Sequence, residues 1–134
     1  MCMLTKQILP VRAKKDIVCY KVLEKEKDFG YRTPYYKMVC HIGTTVQALP
    51  LTTKLPIKSL RGNNNVICEG FIHAFMFLEE AVFLKCNLRM EQGGDFVVVK
   101  CIIPKGTLYY KGLNNGRNLQ EICAKTMKLL EVVT

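Results

Sequence analysis

The pattern of apolar and polar positions changes period once, inside the longest apolar segment, Val66 to Leu84. As far as Phe75 it has the period of a strand: Val66, Cys68, Gly70, Ile72 and Ala74 share one face, and Ile67, Glu69, Phe71, His73 and Phe75 the other. From about Met76 the spacing becomes helical and predicts one principal helix over about 76–86. At roughly 100° per residue, Phe77, Leu78, Ala81, Val82 and Leu84 form one apolar arc, and Glu79 and Glu80 point away from it. The carboxylates in the first turn and Lys85 near the end suit the helix dipole. Phe83 falls on the side of Glu79 and Glu80, so it is either covered by another segment or part of a contact surface.

The remaining pattern is dominated by strands. IVCYKVL predicts a strand over 17–23 with two largely apolar faces, as in the middle of a sheet. KMVCHIGTTVQAL predicts strands at 37–42 and 44–48 around Gly43, and DFVVVKCII is the clearest strand of all. Ile103-Pro104-Lys105-Gly106 fits a type I turn leading into a return strand over 107–111. In the tail, Leu119, Ile122, Cys123, Met127 and Leu130 satisfy a helix, while the closing EVV favours one or two strands. PLTTKLPIKSLRGNNN has little periodicity, and irregular connections of that length are usually functional, so 50–65 is a candidate lid or binding loop. The expected fold class is α+β: a single domain over 16–134, mainly antiparallel sheet with one principal helix, preceded by a basic arm over 1–15.

Composition narrows the classes. A chain of 134 residues suits one core, and 49% apolar with 23% charged residues is the balance of a globular protein. Glu79 and Glu80 interrupt the longest apolar run, which stays short of the roughly 18 residues of a membrane span. The first fifteen residues are too mixed for a signal-peptide core, so a cytoplasmic protein without a membrane partner is expected. The seven cysteines are odd in number, lie at least 15 positions apart and form no C-x-x-C, which predicts reduced thiols packed as small hydrophobes.

Charge adds a partner class. The net charge is +9, and residues 1–65 hold 12 Lys/Arg against 4 Asp/Glu, whereas residues 66–134 hold 8 against 7. Clustered cations raise the local concentration of anions, so the expected partner is an anionic small molecule, nucleotide-like, or nucleic acid. Two loops carry suitable groups. RGNNN supplies Arg61, Asn63 and Asn64, and GLNNGRN supplies Asn114, Asn115 and Arg117. Arginine forks onto phosphate oxygens, and Asn/Gly turns aim backbone amides at an anion. Should the loops meet, they would form a phosphate cradle with Tyr109 or Tyr110 beside it. Walker and dinucleotide glycine patterns are absent.

Catalytic and metal constellations are thinner. Cys68 and His73 lie on opposite faces about 16 Å apart in an extended strand, and Glu69 and His73 share a face about 13 Å apart. Cys40 and His41 diverge as strand neighbours with no further ligand at hand. His73 is thus the one weak catalytic candidate, and no metal or cofactor is expected.

Taken together, ICEGFIHAFMFLEEA, VVVKCIIPKGTLYYKG and EICAKTMKLLEVV resemble small, mostly uncharacterised domains of phages and gut bacteria. There, a Cys-x-x-Gly-Phe-His-Ala type strand precedes a short helix, and a strand ending in a Pro-x-Gly turn follows. The resemblance covers about half the chain, from Val66, and departs at Ile72, which separates Phe71 from His73. It implies an α+β fold and a phage or mobile-element setting, with a sequestering or anti-defence role. More loosely, the order of elements is similar to ADP-ribosyltransferase-like domains, which implies a histidine or arginine on an early strand and a late glutamate, here Glu121 or Glu131. The reading from sequence is a non-enzymatic module binding an anionic ligand; the alternatives are an ADP-ribosyltransferase-like enzyme, active or degenerate, and a homodimeric interaction domain using Phe83.

Overall fold

A computed structural model describes residues 3–26, 30–34, 38–48, 57–58, 65–67, 70–114 and 119–134. The described residues form a mostly antiparallel sheet that carries one helix. In chain order the strands are β1 (Met3–Thr5), β2 (Val11–Arg12), β3 (Ile17–Glu26), β4 (Gly30–Arg32), β5 (Val39–Cys40), β6 (Thr45–Gln47), β7 (Ile57–Lys58), β8 (Asn65–Ile67) and β9 (Ile72–Phe75). Helix α1 (Leu78–Gln92) follows, then β10 (Phe96–Ile103), β11 (Leu108–Asn114), β12 (Gln120–Ala124) and β13 (Thr126–Val132). The expected mixture of antiparallel sheet and one helix is therefore present, in a small, strand-dominated single domain.

The long strands β3 and β10 pair over their full common length, from Phe96↔Glu24 to Ile103↔Ile17. Alternation along both gives two apolar faces. Cys19, Leu23, Val99, Cys101 and Ile103 point to one cluster, joined by Ile72 and Ala74 of β9, Ile122 and Ala124 of β12, and Met127 and Leu129 of β13. Val22, Phe96 and Val98 point the other way, with Phe75, and receive Ala81, Leu84 and Leu88 of the helix.

One connection sets the shape of the sheet. Across the sheet β12, β9, β3, β10 and β13 are consecutive neighbours, yet in sequence Lys125 alone joins β12 to β13. Strands on the two sides of a three-strand block can be linked by one residue only if the sheet rolls, and the cluster shared by all five strands is the interior of that roll. Lys125 is held at the corner by backbone bonds to Leu108 and Ala48, and its ammonium donates to the Gly70 carbonyl at 2.8 Å while lying 4.3 Å from the Phe71 ring centroid.

The differences from the sequence reading have local causes. The stretch expected as one strand from Val66 is divided: Asn65–Ile67 pairs with β1, Ile72–Phe75 pairs with β12, and Gly70 between them sits at φ 76°. The helix runs past 86 to Gln92 because CNLRMEQ contains no breaker. It stops at Gly93, which sits at φ 66° and donates to the Arg89 carbonyl. The tail forms two strands, β12 and β13. The Pro104 turn closes one residue later than expected, from Thr107 N–H to the Pro104 carbonyl, with Gly106 at φ 89° in the third position. In the basic amino-terminal segment, Met3–Thr5 and Val11–Arg12 both pair with β11, and Met3, Thr5 and Ala13 are buried.

The crossing of β1 over β11 requires a glycine. A Cβ at Gly112 would overlap the Leu4 carbonyl oxygen and crowd Met3 Cγ at 3.0 Å. Gly112→Ala is expected to lower unfolding free energy by about 1–3 kcal/mol, the usual range for overpacking, as read from the midpoint of urea denaturation; an unchanged midpoint would contradict this crossing.

Candidate functional site

The sheet places one connected polar network in its interior. β9 pairs with β12 in the register Cys123↔His73 and Glu121↔Phe75, and β12 pairs with β11 in the register Gly112↔Glu121. Glu121, His73 and Asn114 come from these three strands, and all three side chains are buried, Glu121 with zero exposure. Glu121 Oε1 lies 2.5 Å from His73 Nδ1, and Glu121 Oε2 accepts from Asn114 Nδ2 at 2.9 Å. The contact needs one hydrogen between the two atoms, and Nε2 is the ring nitrogen left outside it. Among the described residues, His73 Nε2 and Asn114 Oδ1 have no hydrogen-bond partner.

A second buried polar group lies on the other face of the sheet, inside the roll. Lys21 of β3 is buried, and its ammonium donates to the His73 carbonyl at 2.7 Å. The contact occupies a seam where β3 and β9 share the single bridged pair Tyr20↔Phe75. Burial pushes the Lys21 pKa below its ordinary value, and the thiols of Cys101, Cys40 and Cys19 and the Glu121 carboxylate partly offset that. Burial in turn raises the thiols: Cys101 is pushed up to about 12, and Cys19, Cys40 and Cys123 are also raised. Thiols so protonated are poor nucleophiles and poor metal ligands, in keeping with the expectation of packed, reduced cysteines; Cys19, Cys40, Cys86, Cys101 and Cys123 are all free. Among the described residues no group of three or more His, Cys, Asp or Glu is arranged to hold a metal, and no helix is long and apolar enough to cross a membrane.

The candidate residues from the sequence fall into separate places. Arg61, Asn63, Asn64, Asn115 and Arg117 lie outside the described residues, as does most of 50–65. Asn114 ends β11 and turns inward to Glu121. Tyr110 is buried, with its ring edge-on to Phe71 at 5.2 Å between centroids and its hydroxyl 3.5 Å from the Ile8 carbonyl; burial raises its pKa. Tyr109 is half-buried against the interior cluster, and Phe83 is exposed on α1. The pairings of His73 with Cys68 and with Glu69 lie outside the described residues, since 68 and 69 are not among them; the carboxylate that His73 meets is Glu121. Sequence spacing could not find Asn114 or Lys21 as its neighbours, because three strand registers bring them together.

Exposed cations gather elsewhere, around the Pro104–Thr107 turn. Arg12, Lys14, Lys15 and Lys105 are all exposed there. The segment is fixed: Ala13 N–H donates to Thr107, Gly106 N–H donates to Ala13, and Arg12 Nη1 donates to the Gly106 carbonyl at 3.0 Å. Asp16 is the carboxylate within the segment, and its Oδ1 accepts from the Lys105 N–H at 2.8 Å. A shallow groove of about 440 Å³ lies along β1 and β11, lined by Leu4, Lys6, Gln7, Lys111, Leu113 and Gln120 among others. Comparison with protein-family models, curated proteins and solved structures gives no match.

Two outcomes follow from the buried groups. Removing Glu121 leaves two buried donors unpaired, so Glu121→Ala is expected to cost about 3–5 kcal/mol of stability; Glu121→Gln, which keeps one acceptor, should cost less, and equal losses in denaturant titrations would contradict the paired geometry. The thiols predict an alkaline decline. Above the ordinary thiol value of 9.0 the unfolded chain releases protons that the folded chain keeps, so stability falls as pH rises through that value. Lys21 acts oppositely, since below 10.5 the unfolded lysine holds a proton that burial disfavours in the fold. Urea midpoints from pH 7 to about 10 should therefore fall, and more steeply in Lys21→Met; a flat profile would contradict the buried thiols.

Proposed function

We propose that the protein is a non-enzymatic binding module for nucleic acid or a similar phosphate polymer, which it sequesters through an exposed basic surface. The observation that carries this reading is the fixed cluster of Arg12, Lys14, Lys15 and Lys105 around the Pro104–Thr107 turn. Four exposed cations with one carboxylate among them, already partly engaged by a backbone N–H, make a positive field that costs little to organise. The strong bias of positive charge toward residues 1–65 supports it. Exposed cations around a turn suit a polymer better than a small nucleotide, which binds in concave, mostly apolar sites. Arg61 and Arg117 are the proposed further phosphate contacts.

An enzymatic reading through His73 and Glu121 draws on their pairing alone. Glu121 has zero exposure and both its oxygens are engaged, so the carboxylate meets no substrate in this conformation.

Titrating random-sequence oligonucleotides at several salt concentrations tests the proposal. The logarithm of the binding constant should fall with the logarithm of salt by about 0.7–0.9 for each phosphate contacted. Lys14→Ala, Lys15→Ala and Lys105→Ala together should reduce that slope by about two to three contacts' worth, and Arg61→Ala and Arg117→Ala should reduce it further. Weak binding with no salt dependence would sink the proposal.

A further inference from the structure

The amino-terminal segment runs antiparallel along β11, but the two stretches are out of step. Leu4 pairs with Leu113 and Val11 with Tyr109, so seven steps of chain lie opposite four and three residues are left over. They are taken up in a bulge around Ile8, Leu9 and Pro10, and the bulge is pinned. Neither β1 nor β2 pairs with Lys111, and side chains at the base of the bulge replace the missing ladder. Lys111 N–H donates to Gln7 Oε1 at 2.7 Å, and Thr5 Oγ1 donates to the Lys111 carbonyl at 2.6 Å. Gln7 N–H donates to Thr5 Oγ1 at 3.1 Å, and Gln7 Nε2 reaches the Leu9 carbonyl at 3.4 Å. The tip presents two aliphatic side chains to solvent, Ile8 at 75% exposure and Leu9 at 73%.

Scattered exposed hydrophobics are ordinary. A pair held out on a hydrogen-bonded base is different, because it keeps its shape on binding and loses little freedom there. Cations surround it: Lys6 precedes the tip, Lys111 lies at its base, and Arg12, Lys14 and Lys15 follow, all exposed. An apolar tip among cations fits a ligand that is apolar within and anionic on both flanks. Duplex DNA is built that way, and aliphatic side chains such as Leu, Ile and Pro enter its base steps from the minor groove and kink it.

Two observations favour duplex DNA over other anionic partners. Single strands are held by stacking on aromatic rings, but among the described residues the neighbouring tyrosines are turned elsewhere. Tyr110, whose hydroxyl lies 3.5 Å from the Ile8 carbonyl, is buried, and Tyr109 is half-buried against the interior cluster. A lipid bilayer would take the tip alone. The groove of about 440 Å³ beside it, lined by Lys6, Gln7 and Lys111 among others, is concave and suits a sugar–phosphate strand, which a flat membrane does not resemble.

We infer that the Ile8–Leu9 tip is a wedge that opens a base step of duplex DNA from the minor groove, so that the bound duplex is bent. The wedge rests on the nucleic-acid reading and adds to it the form of the bound polymer. Wedges of this kind bend a duplex by about 20–90° toward the major groove, and pyrimidine–purine steps such as TA open most easily.

The test uses the full chain and duplexes of about 20–30 base pairs, labelled at both ends for energy transfer and carrying at a central TA step a base analogue whose fluorescence is quenched by stacking. Wild type is expected to shorten the end-to-end distance by a bend in that range and to raise the analogue's emission about twofold or more. Ile8→Ser combined with Leu9→Ser should abolish both signals and leave the salt dependence of binding unchanged, since no cation is removed. Both residues are largely exposed, so the fold does not depend on them. Wild type should bind a duplex with a central A-tract more weakly than one with TA, and the double variant should not distinguish the two. Salt-dependent binding to a straight duplex, or a bend that survives the double variant, would overturn the wedge and leave nucleic-acid binding standing. Absence of salt-dependent binding would overturn both. Flotation with vesicles of phosphatidylserine and phosphatidylcholine that depends on Ile8 and Leu9, with the duplex left straight, would overturn the wedge in favour of a membrane.

Discussion

Lys125 turns the chain from β12 to β13 within one residue, although β9, β3 and β10 lie between those strands in the sheet. A flat sheet could not accommodate this, so the roll is imposed by connectivity as much as by strand twist. The interior that results takes side chains from five strands, and Cys19 Sγ of β3 comes within 4.0 Å of Met127 Sδ of β13 with β10 between them in the sheet order. Lys125 can stay at so tight a corner because its polar groups are met there: its N–H by Leu108, its carbonyl by Ala48 and its ammonium by Gly70, over the face of Phe71.

The sheet also buries polar residues on the face opposite the roll's interior, where Glu121 pairs with Phe75 of the helix-side cluster and alternates with Ile122 of the interior one. Glu121, His73 and Asn114 become tolerable only as a set, since a buried charge without partners costs several kcal/mol. The set also fixes registers. Shifting β12 by one residue against β9 or β11 would send Glu121 to the opposite face, away from both partners. Lys21 works at the neighbouring seam, where its ammonium supplies the donor that β3 does not provide along β9. A network so enclosed specifies structure directly. Any chemistry at His73 Nε2 would need an opening that exposes it.

The sequence disclosed what depends on local period. Alternation in β3 and β10 showed both apolar faces, the strand-to-helix change near Met76 was visible, and Phe83 stood out as misplaced on its helix. The faces of His73 and Phe75 were also legible, because alternation assigns them directly. What depends on register was hidden. Asn114 reads as part of an Asn/Gly loop, yet it closes β11 and bonds Glu121, seven positions on in sequence and brought near only once β11 and β12 pair. Lys21 reads as the single polar interruption of an apolar strand, and nothing in its spacing names the carbonyl it meets. The division at Gly70 was also illegible, since an alternating pattern continues smoothly across it and only the positive φ breaks it. The phosphate cradle expected of the two Arg/Asn loops rests mainly on residues outside those described, so of that site only Tyr109, Tyr110 and Asn114 have a known place.

The buried network and the exposed basic turn are separated by position. β10 begins at Phe96, just beyond the end of α1, and finishes at Ile103, immediately before the basic turn. Its eight residues span about 26 Å at roughly 3.3 Å each, which sets the basic turn a full strand length from the carboxy-terminal end of the helix. The cations around Pro104 thus stand at the end of a strand that is paired on one side by β3 and on the other by β13. The same strand gives Val99 and Cys101 to the interior and Val98 to the helix side, so the basic turn is anchored through both faces of the sheet.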